Sequence, residues 1–163
     1  MKRLFILLVI AVSCQNTPQE LTTFILVRHA EKADDGTKDP ELTSPGISRA
    51  ENLYALLNKA EISAIYSTDY KRTKLTVVPL AESKSLTIQS YDWSDPEAML
   101  SKMLVDYSGG TVVISGHSNT TPVLANLLLG EEKFSQFPDD EYGNLIIITT
   151  SSLGQGKLMH LSY

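Results

Sequence analysis

Apolar and polar positions along this chain fall into blocks whose period switches between two and 3.6, the periods of strand and helix. Thr23 to Val27 is a compact apolar run that reads as a buried strand. A charged loop follows, Ala33 to Glu41, with Asp34-Asp35-Gly36 and Asp39-Pro40 as breakers. Ser44 and Pro45 read as an N-cap and first helical position, after which Ile47, Ala50, Leu53, Tyr54 and Leu57 form one apolar stripe. Ile62 to Tyr66 is a second strand. Asp69 is placed to cap a second helix carrying Leu75, Val78, Leu80 and Ala81, although Pro79 argues against its continuity. Thr87 to Tyr91 reads as a third strand. Asp95-Pro96 opens a third helix through Ala98, Met99, Met103 and Leu104, closed by Ser108-Gly109-Gly110. Thr111 to Ile114 is apolar on both faces, as a central strand is. Asn119 or Thr120 starts a fourth helix, with Pro122 in its first turn and Gly130 at its end. Leu145 to Thr150 and Leu158 to Tyr163 are two last strands, a hairpin for the sheet edge. This order predicts an α/β protein, a three-layer α/β/α sandwich with a mostly parallel central sheet.

The first residues follow a different pattern. Lys2 and Arg3 precede nine apolar residues, Leu4 to Val12. Nine residues are too few to span a bilayer, which takes about 20, but they suit an export leader. Leu8 to Cys14 resembles a bacterial lipobox, in which the cysteine is lipidated and becomes the new N-terminus; an ordinary leader with an incidental cysteine is the alternative. The expected organisation is a signal peptide over 1–13, lipidated Cys14 with a polar tether over 14–22, and one domain over 23–163. The expected location is therefore outside the cytoplasm, with a lipid anchor as the sole membrane attachment. Cys14 is the only cysteine, so no internal disulfide staples the domain.

Charge narrows the partners. The chain carries 14 basic and 19 acidic residues, a net charge of −5; without Lys2 and Arg3 the balance is 12 against 19, or −7. A general nucleic-acid binder needs a basic face, which this excess of acid argues against. A local basic pocket remains compatible with it.

Such a pocket is suggested by two of the three histidines. Arg28-His29-Ala30-Glu31 follows the first strand, and Gly116-His117-Ser118 follows the central one. Ligands of open α/β sheets bind at the carboxyl ends of the strands, so two strand ends can bring both imidazoles to one crevice. Arg28 beside His29 makes that crevice suitable for phosphate.

Arg28-His29-Ala30-Glu31, Leu42-Thr43-Ser44-Pro45-Gly46, Arg72 and Gly116-His117-Ser118-Asn119-Thr120 occur in an order that resembles the histidine phosphatase superfamily, with its phosphoglycerate-mutase-like fold. The chain looks like a small branch-1-type member, and the resemblance runs from Phe24 to the last strands. It implies a phosphohistidine intermediate at His29, with Arg28, Arg72 and His117 around the phosphoryl group and water as final acceptor. It requires no cofactor and no metal. Chemistry agrees: an attacking imidazole must be neutral, nearby guanidiniums disfavour the imidazolium, and the same groups bind phosphoryl oxygens bidentately. Asn119 either adds an anion contact at the helix start or is a plain N-cap.

The general acid is open between Asp92, which ends the third strand, Glu31, which sits beside the His29 motif, and no dedicated acid. Lys71 and Lys74 read as solvated helix residues, and His160 as structural. The implied activity is hydrolysis of a phosphomonoester or related phospho-compound, from a small molecule or a phosphoprotein. A phosphohistidine protein phosphatase and a noncatalytic phosphate-ligand binding lipoprotein are the alternatives. Specificity would lie in the loops Ala33 to Glu41 and Phe134 to Gly143.

Overall fold

A computed structural model of the chain describes residues 20–163. The leader and Cys14 lie outside the described residues. Six strands and four helices follow in the order β1 (Thr22–Arg28), α1 (Ser44–Leu57), β2 (Ala64–Ser67), α2 (Lys71–Lys84), β3 (Ile88–Ser90), α3 (Pro96–Asp106), β4 (Thr111–Gly116), α4 (Thr120–Leu129), β5 (Asn144–Thr150) and β6 (Lys157–Ser162). They form one sheet in the order β3-β2-β4-β1-β5-β6. The pairs β3-β2, β2-β4 and β4-β1 are parallel; β5 and β6 are antiparallel and close the opposite edge as a hairpin.

Helices cover both faces, which is why the central strands are apolar on both sides. On one face Phe24, Leu26, Val112, Ile114, Ile146 and Ile148 pack against Leu100 and Met103 of α3 and Leu124 and Leu128 of α4. On the other, Ile25, Val27, Ile65, Val113 and Leu145 pack against Leu53 and Leu57 of α1 and Val77 and Leu80 of α2.

Local differences from the sequence expectations have local causes. Thr43, one residue earlier than Ser44, caps α1 by accepting from Gly46 N at 3.2 Å. Tyr70 occupies the N-cap position of α2 without a side-chain cap bond, because Asp69 pairs with Lys74 instead. α2 also runs unbroken through Pro79. An interior proline costs a helix about 3 kcal/mol or more, and the burial of Val77 and Leu80, both 0% exposed, offsets it. β3 is shorter than expected and sits at the sheet edge. Pairing of β1 begins at Thr22, opposite Thr150, so the sheet reaches one residue into the segment expected to be tether.

Candidate active site

β1 and β4 are adjacent and parallel, so their carboxyl ends deliver both motifs to one place. His29 N donates to Gly116 O at 2.9 Å, which ties the first motif to the second. Gly116 admits no side chain: a Cβ there would lie 2.8 Å from Thr120 Oγ1 and 2.9 Å from Thr121 Oγ1. The two imidazoles stand edge to face, with centroids 5.5 Å apart. They line an open cavity of about 430 Å³ together with Arg28, Arg72, Asn119 and Trp93.

His29 is arranged as a nucleophile. Its Nδ1 lies 2.8 Å from the Ala30 carbonyl, which only accepts, so Nδ1 carries the proton and Nε2 keeps its lone pair. The ring is held down to about 4, far below the usual histidine value, first by burial and then by Arg28, His117 and Arg72. The sequence pointed to the arginines as the cause of neutrality; burial is the larger one. His117 is likewise lowered to about 4, by burial and then by Arg72 and Arg28. Its Nε2 lies 2.9 Å from Thr68 Oγ1. Thr68 donates its hydroxyl proton to Thr73, whose own hydroxyl donates to the backbone, so His117 Nε2–H is the donor to Thr68.

Arg28 departs from the expectation of a free bidentate fork. Nη1 donates to the carbonyls of Pro138 at 2.6 Å and Glu141 at 2.7 Å, and Nη2 to that of Asp139 at 3.1 Å. Tyr142 covers the guanidinium at 4.4 Å. Of five donors, this leaves one N–H on Nη2 and that of Nε, which is buried and unpartnered. Arg72, in the first turn of α2, lies over Tyr70 at 4.3 Å and 3.6 Å from Asp39.

Neither expected acid is available. Asp92 is exposed and does not line the cavity. A turn after the short β3 directs its carboxylate to Ser94, accepting from Ser94 N at 3.0 Å and Oγ at 2.6 Å, and these bonds hold it below the usual carboxylate range. Glu31 is gripped by Arg49, whose hydrogen bonds are the main cause of its lowered pKa, so it stays ionised. The backbone of Glu31 anchors the Leu42-to-Gly46 segment instead: Thr43 N donates to its carbonyl at 2.9 Å, and a Cβ on Gly46 would collide with that oxygen. Asn119 makes no side-chain cap bond and is exposed at the cavity, so the plain N-cap reading is not what the fold uses. His160 is structural, with Nε2 2.9 Å from Asn144 Oδ1. Lys71 and Lys74 pair with Glu41 and Asp69 on the surface.

Sequence reasoning missed Thr68, Arg49, Tyr142, Lys32 and Asp139. Tyr142 and Asp139 lie in the loop that it had named for specificity. No metal-binding cluster of three or more His, Cys, Asp or Glu side chains occurs among the described residues.

Residues 24–92 match the family model described as "Histidine phosphatase superfamily (branch 1)". Phosphoserine phosphatase 1 of Hydrogenobacter thermophilus is 36% identical over 78 residues, with 44% of this chain and 37% of that protein covered. The match therefore spans less than half of that relative's length. Among solved structures, the protein histidine phosphatase SixA complexed with tungstate superposes with a TM-score of 0.69 at 17% identity, covering 86% of this chain and 96% of that one. A mycobacterial glucosyl-3-phosphoglycerate phosphatase superposes with a TM-score of 0.68 at 15% identity, covering 88% and 99%. At these identities the two structures share the fold with this chain.

Proposed function

We propose that the chain is a member of the histidine phosphatase superfamily, an exported, lipid-anchored phosphatase that hydrolyses a phosphomonoester through a phosphohistidine at His29. The observation that carries this reading is the state of His29: a buried, neutral ring whose proton is fixed on Nδ1, 5.5 Å from a second neutral histidine and beside two arginines. A purely phosphate-binding site has no use for an unprotonated ring nitrogen directed by its backbone. Arg28 and Arg72 neutralise charge on the equatorial oxygens. Bound phosphate favours protonation of His117, which turns it from acceptor to donor on Nδ1. Attack by Nε2 forms the N–P bond as the P–O ester bond breaks and the alcohol departs; water then attacks phosphorus, the N–P bond breaks, and inorganic phosphate is released.

The names of the relatives suggest the first substrates to assay: O-phosphoserine, a phosphoglycerate derivative and a phosphohistidine protein. The leader, with Lys2, Arg3, the apolar Leu4 to Val12 and Cys14, supports export and anchoring. Turnover by the purified full chain, assayed on this panel beside His29→Ala, tests the activity. A wild-type chain that binds phosphate but turns over none of the panel favours the noncatalytic binding alternative. For the anchor, Cys14→Ser is expected to release the protein from the membrane fraction; retention after a salt wash contradicts lipidation.

A further inference from the structure

We propose that Asp139 is the general acid of this site, an assignment that rests on the phosphatase reading above and identifies the residue that protonates the leaving oxygen. Asp139 is the only carboxylate among the residues lining the cavity around His29 and His117. Asp92 is turned to Ser94 and Glu31 is held by Arg49, whereas the Asp139 carboxylate makes no ion pair or hydrogen bond among the described residues.

Its placement is fixed by the backbone. The loop from Phe137 to Tyr142 is fastened to both catalytic strand ends. Phe137 N donates to the carbonyl of Ser118, next to His117, at 3.0 Å. Arg28, next to His29, holds three carbonyls of this loop, those of Pro138, Asp139 and Glu141. The loop is thus referenced to the neighbours of His29, the proposed phosphoryl acceptor, and of His117 across the cavity, and the Asp139 side chain is left free to move a proton. Its neighbours do not compete: Glu141 accepts from Asn144 Nδ2 at 2.6 Å, and Asp140 does not line the cavity.

In the first step His29 Nε2 attacks phosphorus, the P–O ester bond breaks, and the Asp139 proton passes to the departing alkoxide, giving the free alcohol, phosphohistidine and an Asp139 carboxylate. In the second, that carboxylate takes a proton from water as its oxygen attacks phosphorus. The P–N bond breaks, and its electron pair returns to Nε2.

The test uses the purified full chain with glycerol 3-phosphate, a poor leaving group, and p-nitrophenyl phosphate, a good one. General-acid assistance is typically worth on the order of 10²–10⁴-fold. Asp139→Asn is expected to lose at least about 100-fold in kcat on the alkyl ester and less than about 10-fold on the aryl ester. Asp139→Glu is expected to recover part of the alkyl activity, and Asp140→Asn to keep the wild-type ratio between the substrates. Equal losses on both esters, or no loss on either, overturn the assignment. Failure of the phosphatase reading gives a different result: a wild-type chain inert on both esters, or His29→Ala as active as wild type, overturns both together.

Discussion

Arg49 grips Glu31 side-on, with Nε 2.9 Å from Oε2 and Nη2 2.7 Å from Oε1, while its Nη1 reaches the Tyr163 carbonyl at 2.5 Å. The first turns of α1 are thereby locked to the segment that carries His29. Because the pair is partly solvated, its worth is on the order of 1 kcal/mol. Glu31→Gln is expected to lower denaturant stability by about that amount and to reduce turnover of alkyl and aryl phosphates by the same factor. A loss confined to alkyl esters would make Glu31 an acid.

Arg28 holds the loop through three carbonyls, and in the proposed mechanism the same planar group serves the phosphate. Lysine offers neither the fork nor the reach to three carbonyls. Arg28→Lys is expected to lower kcat/KM by about 100-fold or more, consistent with loss of charge-assisted bonds of roughly 1.5–3 kcal/mol each, and to speed proteolytic cleavage within 134–143. Unchanged proteolysis would mean that the loop is held by other contacts.

The buried neutral histidines set a pH dependence. Their folded values near 4 lie below the unfolded value of 6.5, so between these the unfolded chain binds protons that the native chain excludes. Stability is therefore complete above about pH 6.5 and falls as pH drops toward 4, by at most about 3 kcal/mol from His29. Replacing His29 with Asn is expected to flatten this slope in denaturant titrations between pH 4 and 7. With an aryl ester that needs no general acid, and after correction for the substrate phosphate's own ionisation, the free enzyme's acid limb in kcat/KM is expected only as pH approaches 4, when Nε2 takes up a proton. A corrected acid limb near 6.5 would mean that the ring is solvated.

In the proposed mechanism, charge stabilisation comes from Arg28, Arg72 and His117. Activity is accordingly expected to survive prolonged chelation. Loss on chelation with recovery on adding a divalent cation would replace this scheme by a metal-assisted one.

The parts of the site that were legible in the sequence are those written locally. His29 and His117 each follow an apolar run, and parallel pairing of β1 with β4 makes two strand ends one crevice. The Leu42-to-Gly46 segment was visible as a pattern, but its reason, the collision of any Gly46 side chain with Glu31, needs the fold. Asp92 was misjudged because ending a strand suggests facing the crevice; β3 is only three residues long, and the turn to Ser94 redirects the side chain. Asp139 carries no sequence signal, because Asp139-Asp140-Glu141 has the composition of a solvated loop and the Arg28 contact to its carbonyl comes from 111 positions away in sequence. The Arg49 partner of Glu31 lies 18 positions on, across a loop and a helix turn, and carries no motif.

The central claim is that Nε2 of His29 forms a bond to phosphorus. Rapid acid-free quenching of the full chain with a ³²P-labelled aryl phosphate, followed by peptide mapping, tests it most directly. The expected result is an acid-labile, base-stable label on the peptide containing His29, formed at least as fast as turnover and absent in His29→Ala. Turnover at the wild-type rate with no labelled intermediate, or a label that persists in His29→Ala, would contradict it.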